Sequence, residues 1–116
     1  MSKPIVTRSR KQVYKRWIAA LRNGEYKQTR DTLRRGDSFC CLGVLCDLAR
    51  KDGGPEWDAG SYMDNEDSLP AEIETFIRLT NDEQTGLIKR NDAGQSFLRI
   101  ADHIEYFVMP NALERS

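Results

Sequence analysis

The sequence predicts a mainly helical α+β domain, and three observations carry that expectation. Apolar side chains recur at helical spacing over residues 9–23 and through most of the chain after residue 68. The stretch 26–41 lacks that period and holds a Gly-Asp pair between two short runs of strand character. Between these regions runs Phe39-Cys40-Cys41-Leu42-Gly43-Val44-Leu45-Cys46-Asp47-Leu48-Ala49, in which Asp47 carries the only polar side chain apart from the thiols. Leaving such a segment in water costs roughly 1.5 to 3 kcal/mol per large side chain, so the other elements are expected to cover it. At 116 residues the chain has the length of a single domain, 1–116.

Residues 1–8 form a polar arm. Ser9 and Gln12 have the spacing of a capping box, and the N-terminal amphipathic helix that follows runs to about Asn23. Val13, Tyr14, Trp17, Ile18 and Leu21 share its apolar stripe, and Gly24 is placed to end it. A small β-hairpin is expected from strands 28–34 and 38–41 joined at Arg35-Gly36-Asp37, which would set Arg30, Thr32 and Arg34 on one face. Residues 42–51 then form a buried central helix with Leu42, Leu45, Leu48 and Ala49 inward. Gly43 costs that helix about 1 kcal/mol relative to Ala, and a buried strand through its first half is the alternative.

Residues 52–68 make a long acidic loop in which Trp57, Tyr62 and Met63 are expected to fold back over apolar surface. Its acids lack the Asp-x-Asp-x-Asp-Gly order of a calcium loop. Ser68-Leu69-Pro70 opens a third helix with Leu69, Ile73, Phe76 and Ile77 inward, and Glu72 and Glu74 suit its positive end. Thr80 and Glu83 repeat the capping-box spacing ahead of Leu87 and Ile88. After the break at Asn91-Asp92-Ala93-Gly94, Ser96 caps a last helix whose Phe97, Ile100, Ala101, Ile104 and Val108 recur until Pro110.

The net charge is zero, yet residues 1–35 sum to +9 and residues 36–116 to −9. The two parts are expected to attract each other, and basic surface left uncovered is a candidate contact for an anion. No run approaches the roughly 18 apolar residues of a membrane span, and Met1 to Arg10 has no signal-peptide core, so a cytoplasmic protein is expected. Three cysteines, two of them adjacent, do not make a disulfide framework. A Cys41 thiolate with His103 as base, or zinc on Cys40, Cys41, Cys46 and His103, is opposed by apolar surroundings and the absence of C-x-x-C spacing. No catalytic residue, metal ligand or cofactor motif is assigned.

Two binding surfaces remain. Tyr26, Lys27, Gln28, Arg30, Arg34 and Arg35 combine guanidinium donors with a stacking ring, suited to a partner or to an anionic nucleotide. The last two helices resemble a helix-turn-helix pair, for which Lys89, Arg90 and Arg99 are the nucleic-acid candidates. Asp92, Asp102 and Glu105 oppose phosphate there and favour a pair used for packing.

Three segments together resemble a group of small proteins encoded by tailed bacteriophages: Trp17-Ile18-Ala19-Ala20-Leu21-Arg22-Asn23-Gly24-Glu25-Tyr26-Lys27-Gln28, the segment 39–48, and Asn91-Asp92-Ala93-Gly94-Gln95-Ser96-Phe97 with Ile100-Ala101-Asp102 and Ile104-Glu105. The likeness spans about residues 13–106 and departs at Phe76-Ile77-Arg78, where a Trp-Ala-Gly-like ending fits the pattern. It implies a setting, the cytoplasm of an infected bacterium. The expectation is a non-enzymatic accessory protein, of inhibitor or counter-defence type, that binds a host or phage macromolecule, most simply a protein. A nucleic-acid-binding regulator and a sponge for an anionic nucleotide signal are the alternatives.

Overall fold

The first helix, α1 (Arg10–Arg22), starts on the capping box that its sequence specifies. Ser9 Oγ accepts from the Gln12 backbone N–H at 3.2 Å, and Gln12 Oε1 accepts from the Ser9 N–H at 2.9 Å. The computed structural model describes residues 9–115, so the expected polar arm 1–8 lies outside the described residues. The inner stripe of α1 buries Val13, Tyr14, Trp17, Ile18, Ala20 and Leu21. Its two large rings also bring polar tips inward: Trp17 Nε1 donates to the Cys41 carbonyl at 2.9 Å and the Tyr14 hydroxyl to the Ile77 carbonyl at 2.8 Å. Both rings are therefore buried without an orphaned donor.

The hairpin forms, but shorter and with an added strand. Strands β2 (Arg34–Arg35) and β3 (Ser38–Phe39) pair antiparallel across Gly36-Asp37, with Gly36 at φ 60 in the first turn position, where a type II′ turn places glycine. Strand β1 (Lys27–Gln28) lies parallel to β3 on its other side, giving the order β1-β3-β2. Residues 29–33 are not a strand. Asp31 sits at φ 68 and turns the chain out of the sheet, and Leu33 is fully buried, so Arg30, Thr32 and Arg34 do not share a strand face.

Helix α2 (Cys41–Lys51) is the buried central helix, with Cys41 to Ala49 all buried and the Cys40 sulfur accepting from the Gly43 N–H at its start. Gly43 has a specific reason. A Cβ built there would lie 1.9 Å from the Leu33 carbonyl oxygen, because the backbone leaving the sheet crosses the helix at that point. The 52–68 connection folds back as expected: Tyr62 is buried, Trp57 and Met63 are half-buried, and bridges Asp58–Ser61 and Tyr62–Asn65 hold its turns.

Helix α3 (Ala71–Ile77) buries Ile73 and Ile77 while Phe76 is only partly covered. Arg78 ends it at φ 60, a left-handed position that glycine usually takes. Besides Tyr14, Arg10 Nε caps this end, donating to the Phe76 carbonyl at 2.7 Å. Helix α4 (Asn81–Asp92) carries the second capping box, and α5 (Phe97–His103) starts on Ser96, whose hydroxyl accepts from Arg99 N–H.

The last helix does not stop at Pro110. A π turn, Ile104–Val108, joins α5 to α6 (Met109–Glu114), with the Met109 N–H donating to the Ile104 carbonyl. Apolar residues four apart, Ile100, Ile104, Val108 and Ala112, drift by about 40° per step on an α-helix. The wider π turn absorbs that drift and keeps all four buried. Asn111 Nδ2 donates to the Phe107 carbonyl at 2.8 Å, satisfying an acceptor beside the missing proline N–H.

The crossing at Gly43 makes a paired prediction. Gly43→Ala forces Leu33 and α2 apart and is expected to destabilise the protein by about 3 kcal/mol or more. Gly86→Ala, in α4 with nothing within 4 Å of the new methyl group, is expected to stabilise it by about 0.5–1 kcal/mol. Urea unfolding of the two variants checks both signs.

Candidate functional site

Asp47, 6% exposed, is the polar centre of the apolar helix. Its Oδ2 accepts from the Tyr26 hydroxyl at 2.7 Å, and its Oδ1 accepts from Trp57 Nε1 at 3.0 Å and Arg50 Nε at 2.8 Å. Around it the rings of Tyr26, Phe39, Trp57 and Tyr62 follow one another with centroids 5.0–5.8 Å apart. The Arg34 guanidinium lies over Phe39 and Trp57 at 5.7 and 5.4 Å, and Lys51 Nζ over Tyr26 at 5.1 Å. Burial alone would raise the Asp47 pKa, but the bonds from Arg50, Tyr26 and Trp57 outweigh it and hold the carboxyl below its ordinary value. Burial and the bond to Asp47 push the Tyr26 hydroxyl up to about 12.

A second centre is Asn91, buried at the end of α4. Its Oδ1 accepts from Gln28 Nε2 at 2.9 Å and from the Cys41 N–H at 3.2 Å, and its Nδ2 donates to the Thr29 carbonyl at 2.7 Å. Gln28 Nε2 also reaches the Gln95 carbonyl at 2.8 Å. One amide thus ties β1, the start of α2 and the α4–α5 turn together.

These two centres disperse the basic cluster read from residues 26–35. Tyr26 faces Asp47, Gln28 faces Asn91, and Arg34 is held by the rings and by the Gly36 and Ala59 carbonyls. Lys27, Arg30 and Arg35 are exposed and form no ion pair among the described residues, and Arg30 rests beside Gly94. The six residues do not converge on one pocket. Charge attraction between the two parts of the chain is real but local: Arg16 pairs with Asp52 at 2.6 Å, and Arg22 with Asp102 and Glu105 at 2.7 and 2.8 Å.

The C-terminal pair does gather two of its candidates. Arg90 and Arg99 line an open cleft of about 400 Å³ with Gln95, Asp102, His103, Tyr106 and Phe107. Lys89 is exposed on α4 outside that lining. His103 is half-buried, 5.3 Å from the Phe107 ring, and burial together with the Arg90 charge lowers its pKa. Tyr106 and Phe107 were not among the residues singled out from the sequence. The signal available there was their position off the apolar stripe of the last helix, and they are 68% and 64% exposed, with Leu98 on the same helix at 58%.

A narrower cleft of about 210 Å³ lies between Asp31, Thr32, Cys40, Asp67, Ile88 and Asp92. Among the described residues no group of three or more His, Cys, Asp or Glu is arranged to hold a metal ion, and no helix is long and apolar enough to cross a membrane. The three cysteines are free and buried, and burial pushes Cys40 up to about 11 and raises Cys41 and Cys46 well above the ordinary thiol value.

Residues 9–69, just over half of the chain, match the model of a family described as a domain of unknown function, DUF8296. The chain belongs to that family. No curated protein and no solved structure matches it. The DUF8296 match takes in α1, the sheet, α2 and the acidic connection, and so contains Asp47 with all the rings around it. The Arg90–Arg99 cleft lies beyond the matched residues.

Two predictions follow from this DUF8296 core. Asp47→Ala strands three donors and is expected to cost about 3 kcal/mol at pH 7. Because the folded-state pKa of Asp47 is depressed, its contribution is present above the ordinary carboxyl value and is lost as pH falls through the folded value. The stability gap between wild type and Asp47→Asn should therefore shrink from pH 7 to pH 2; a gap that persists at pH 2 contradicts the assignment. The thiols are expected to react with an aromatic disulfide reagent at pH 8 no faster than the fold opens, and to react at once in guanidinium.

Proposed function

We propose that the protein is a non-enzymatic bacteriophage accessory protein of inhibitor or counter-defence type, acting in the infected bacterial cytoplasm by binding a host or phage macromolecule. One observation carries the reading: among the described residues, Leu98, Tyr106 and Phe107 are the large apolar side chains that stand exposed, and all three lie on the C-terminal helix. An exposed aromatic surface next to arginines has the composition of a protein-binding centre. The interior supports the same side, since Asp47, Gln84 and Asn91 are committed to structural hydrogen bonds and the thiols are held protonated. The setting rests on the three segments that resemble phage proteins.

A second reading, a nucleic-acid-binding regulator, is favoured by one feature: α4 and α5 meet through a turn with Gly94 at φ 93 and bring Arg90 and Arg99 to one cleft. A low-salt titration with duplex and single-stranded DNA separates the two, because phosphate contacts weaken steeply as salt rises.

The protein is expected to turn over no nucleotide, peptide or glycan, and to retain from infected-cell lysate a partner that Tyr106→Ser/Phe107→Ser loses without a fall in melting temperature. Turnover of any of these substrates, or failure to retain any partner, contradicts the reading; equal retention by the double variant contradicts only the placement of the binding surface at Tyr106 and Phe107.

A further inference from the structure

We infer that the cleft bounded by Arg90, Arg99, His103, Tyr106 and Phe107 is a docking site for a protein segment that presents a carboxylate beside an apolar side chain. The inference rests on the binding-protein reading above and names the chemistry of its partner.

Charge complementarity identifies the occupant. Asp102 lines the cleft and Glu105 lies one turn further on, and Arg22 of α1 engages both, Asp102 at 2.7 Å and Glu105 at 2.8 Å. Glu83, the other acid whose field reaches His103, is paired with Arg115 at 2.7 Å. Arg90 and Arg99 have no such partner: neither forms an ion pair among the described residues, and the bond recorded for Arg90 is a 3.4 Å contact from Nη1 to Gln95 Oε1. Burial and the Arg90 charge lower the His103 pKa, which favours the neutral imidazole, and Arg22 balances one of the two acid charges, so the cleft keeps two guanidiniums against one carboxylate charge. A guanidinium accepts a carboxylate through two parallel hydrogen bonds, and the loss of hydration is small compared with that of an ammonium.

The rings supply the second half of the specificity. Tyr106 and Phe107 are held outward by the π turn, whose other side chains Ile104 and Val108 are anchored in the core, so they form a stiff apolar surface. Aromatic anchors beside arginine are the residue types that carry most binding energy at protein interfaces. A nucleic-acid strand fits less well. Its phosphates recur every few ångströms, so a strand placing one on Arg99 brings the next toward Asp102, which lines the same cleft. A peptide carries a single carboxylate where it is wanted.

The test selects 12-residue peptides from a random displayed library on the purified protein. Enriched sequences are expected to combine Asp or Glu with an aromatic or aliphatic residue. Synthetic versions should bind at least 10-fold more weakly to Arg90→Glu/Arg99→Glu and to Tyr106→Ser/Phe107→Ser, and exchanging the peptide's acids for Lys should restore binding to the charge-reversed protein. Arg99, Tyr106 and Phe107 are exposed and Arg90 is half-buried, and unchanged melting temperatures confirm folding. No enrichment, enriched peptides without acids, or affinities unchanged in both variants overturns the inference. So does a dT12 oligonucleotide whose binding is lost in those variants, or a dimer in light scattering that Tyr106→Ser/Phe107→Ser abolishes. A lysate partner retained by another surface leaves the binding-protein reading standing while this cleft assignment falls.

Discussion

Complete burial of α2 is the constraint on which the rest of the structure depends. A helix with nine consecutive buried residues has no side that can face water, so it must be covered all round by elements that are themselves only half apolar. Four pieces of chain do this. Helix α1 brings Trp17, α4 brings Leu87 and Asn91, the backbone at Leu33 crosses Gly43, and the acidic connection lays Trp57 and Tyr62 over the remaining side. The polar groups trapped in the process dictate where each piece sits. Asp47 must receive donors: Tyr26 and Trp57 reach it from outside α2, and Arg50 from within the same helix. The Cys41 N–H, in the first turn of α2 where helix donors lack intrahelical partners, takes Asn91 instead.

This dependence explains which parts of the fold are legible in the sequence. Ser9 with Gln12, Thr80 with Glu83 and Ser96 are helix starts written within four residues, and all three form. The buried helix is legible because apolar composition needs no partner to be recognised. The roles of Gly43, Gln28 and Asn91 are not, because each is defined by chain 10 to 67 residues away. Gly43 in particular looks like a helix penalty until the Leu33 carbonyl is placed against it. Strand β1 is two residues long, too short for any alternation to register, and its parallel pairing to β3 comes from the excursion at Asp31. The basic cluster is divided for the same reason. Sequence adjacency brought Tyr26, Gln28 and Arg34 together on paper, whereas Asp47, Asn91 and the aromatic rings draw them to different places in the fold.

The segregation of charge along the chain contributes less to stability than its size suggests. Exposed ion pairs such as Arg22 with Asp102 are worth at most about 1 kcal/mol each. Their consequence is positional. By engaging Asp102 and Glu105, Arg22 ties α1 to the C-terminal helix and balances one of their two charges, which leaves Arg90 and Arg99 in excess. A neutral chain thereby acquires a local positive surface.

The C-terminal helix then has two sides under different control. Inward, Ile100, Ile104, Val108 and Ala112 must stay buried along a spacing that an α-helix cannot keep in register, and the π turn is what reconciles them. Outward, that same turn leaves Tyr106 and Phe107 in solvent, where burial gives no account of two large rings. The family match supports a division of labour. Residues 9–69 hold α2, Asp47 and its aromatic cluster, but α2 is not closed without Leu87 and Asn91 of α4, so the remaining chain is needed as cover. The inner side of that cover is tied to the scaffold. The outer side is held more loosely, by the 5.3 Å approach of Phe107 to His103 and the 3.4 Å reach of Arg90 to Gln95.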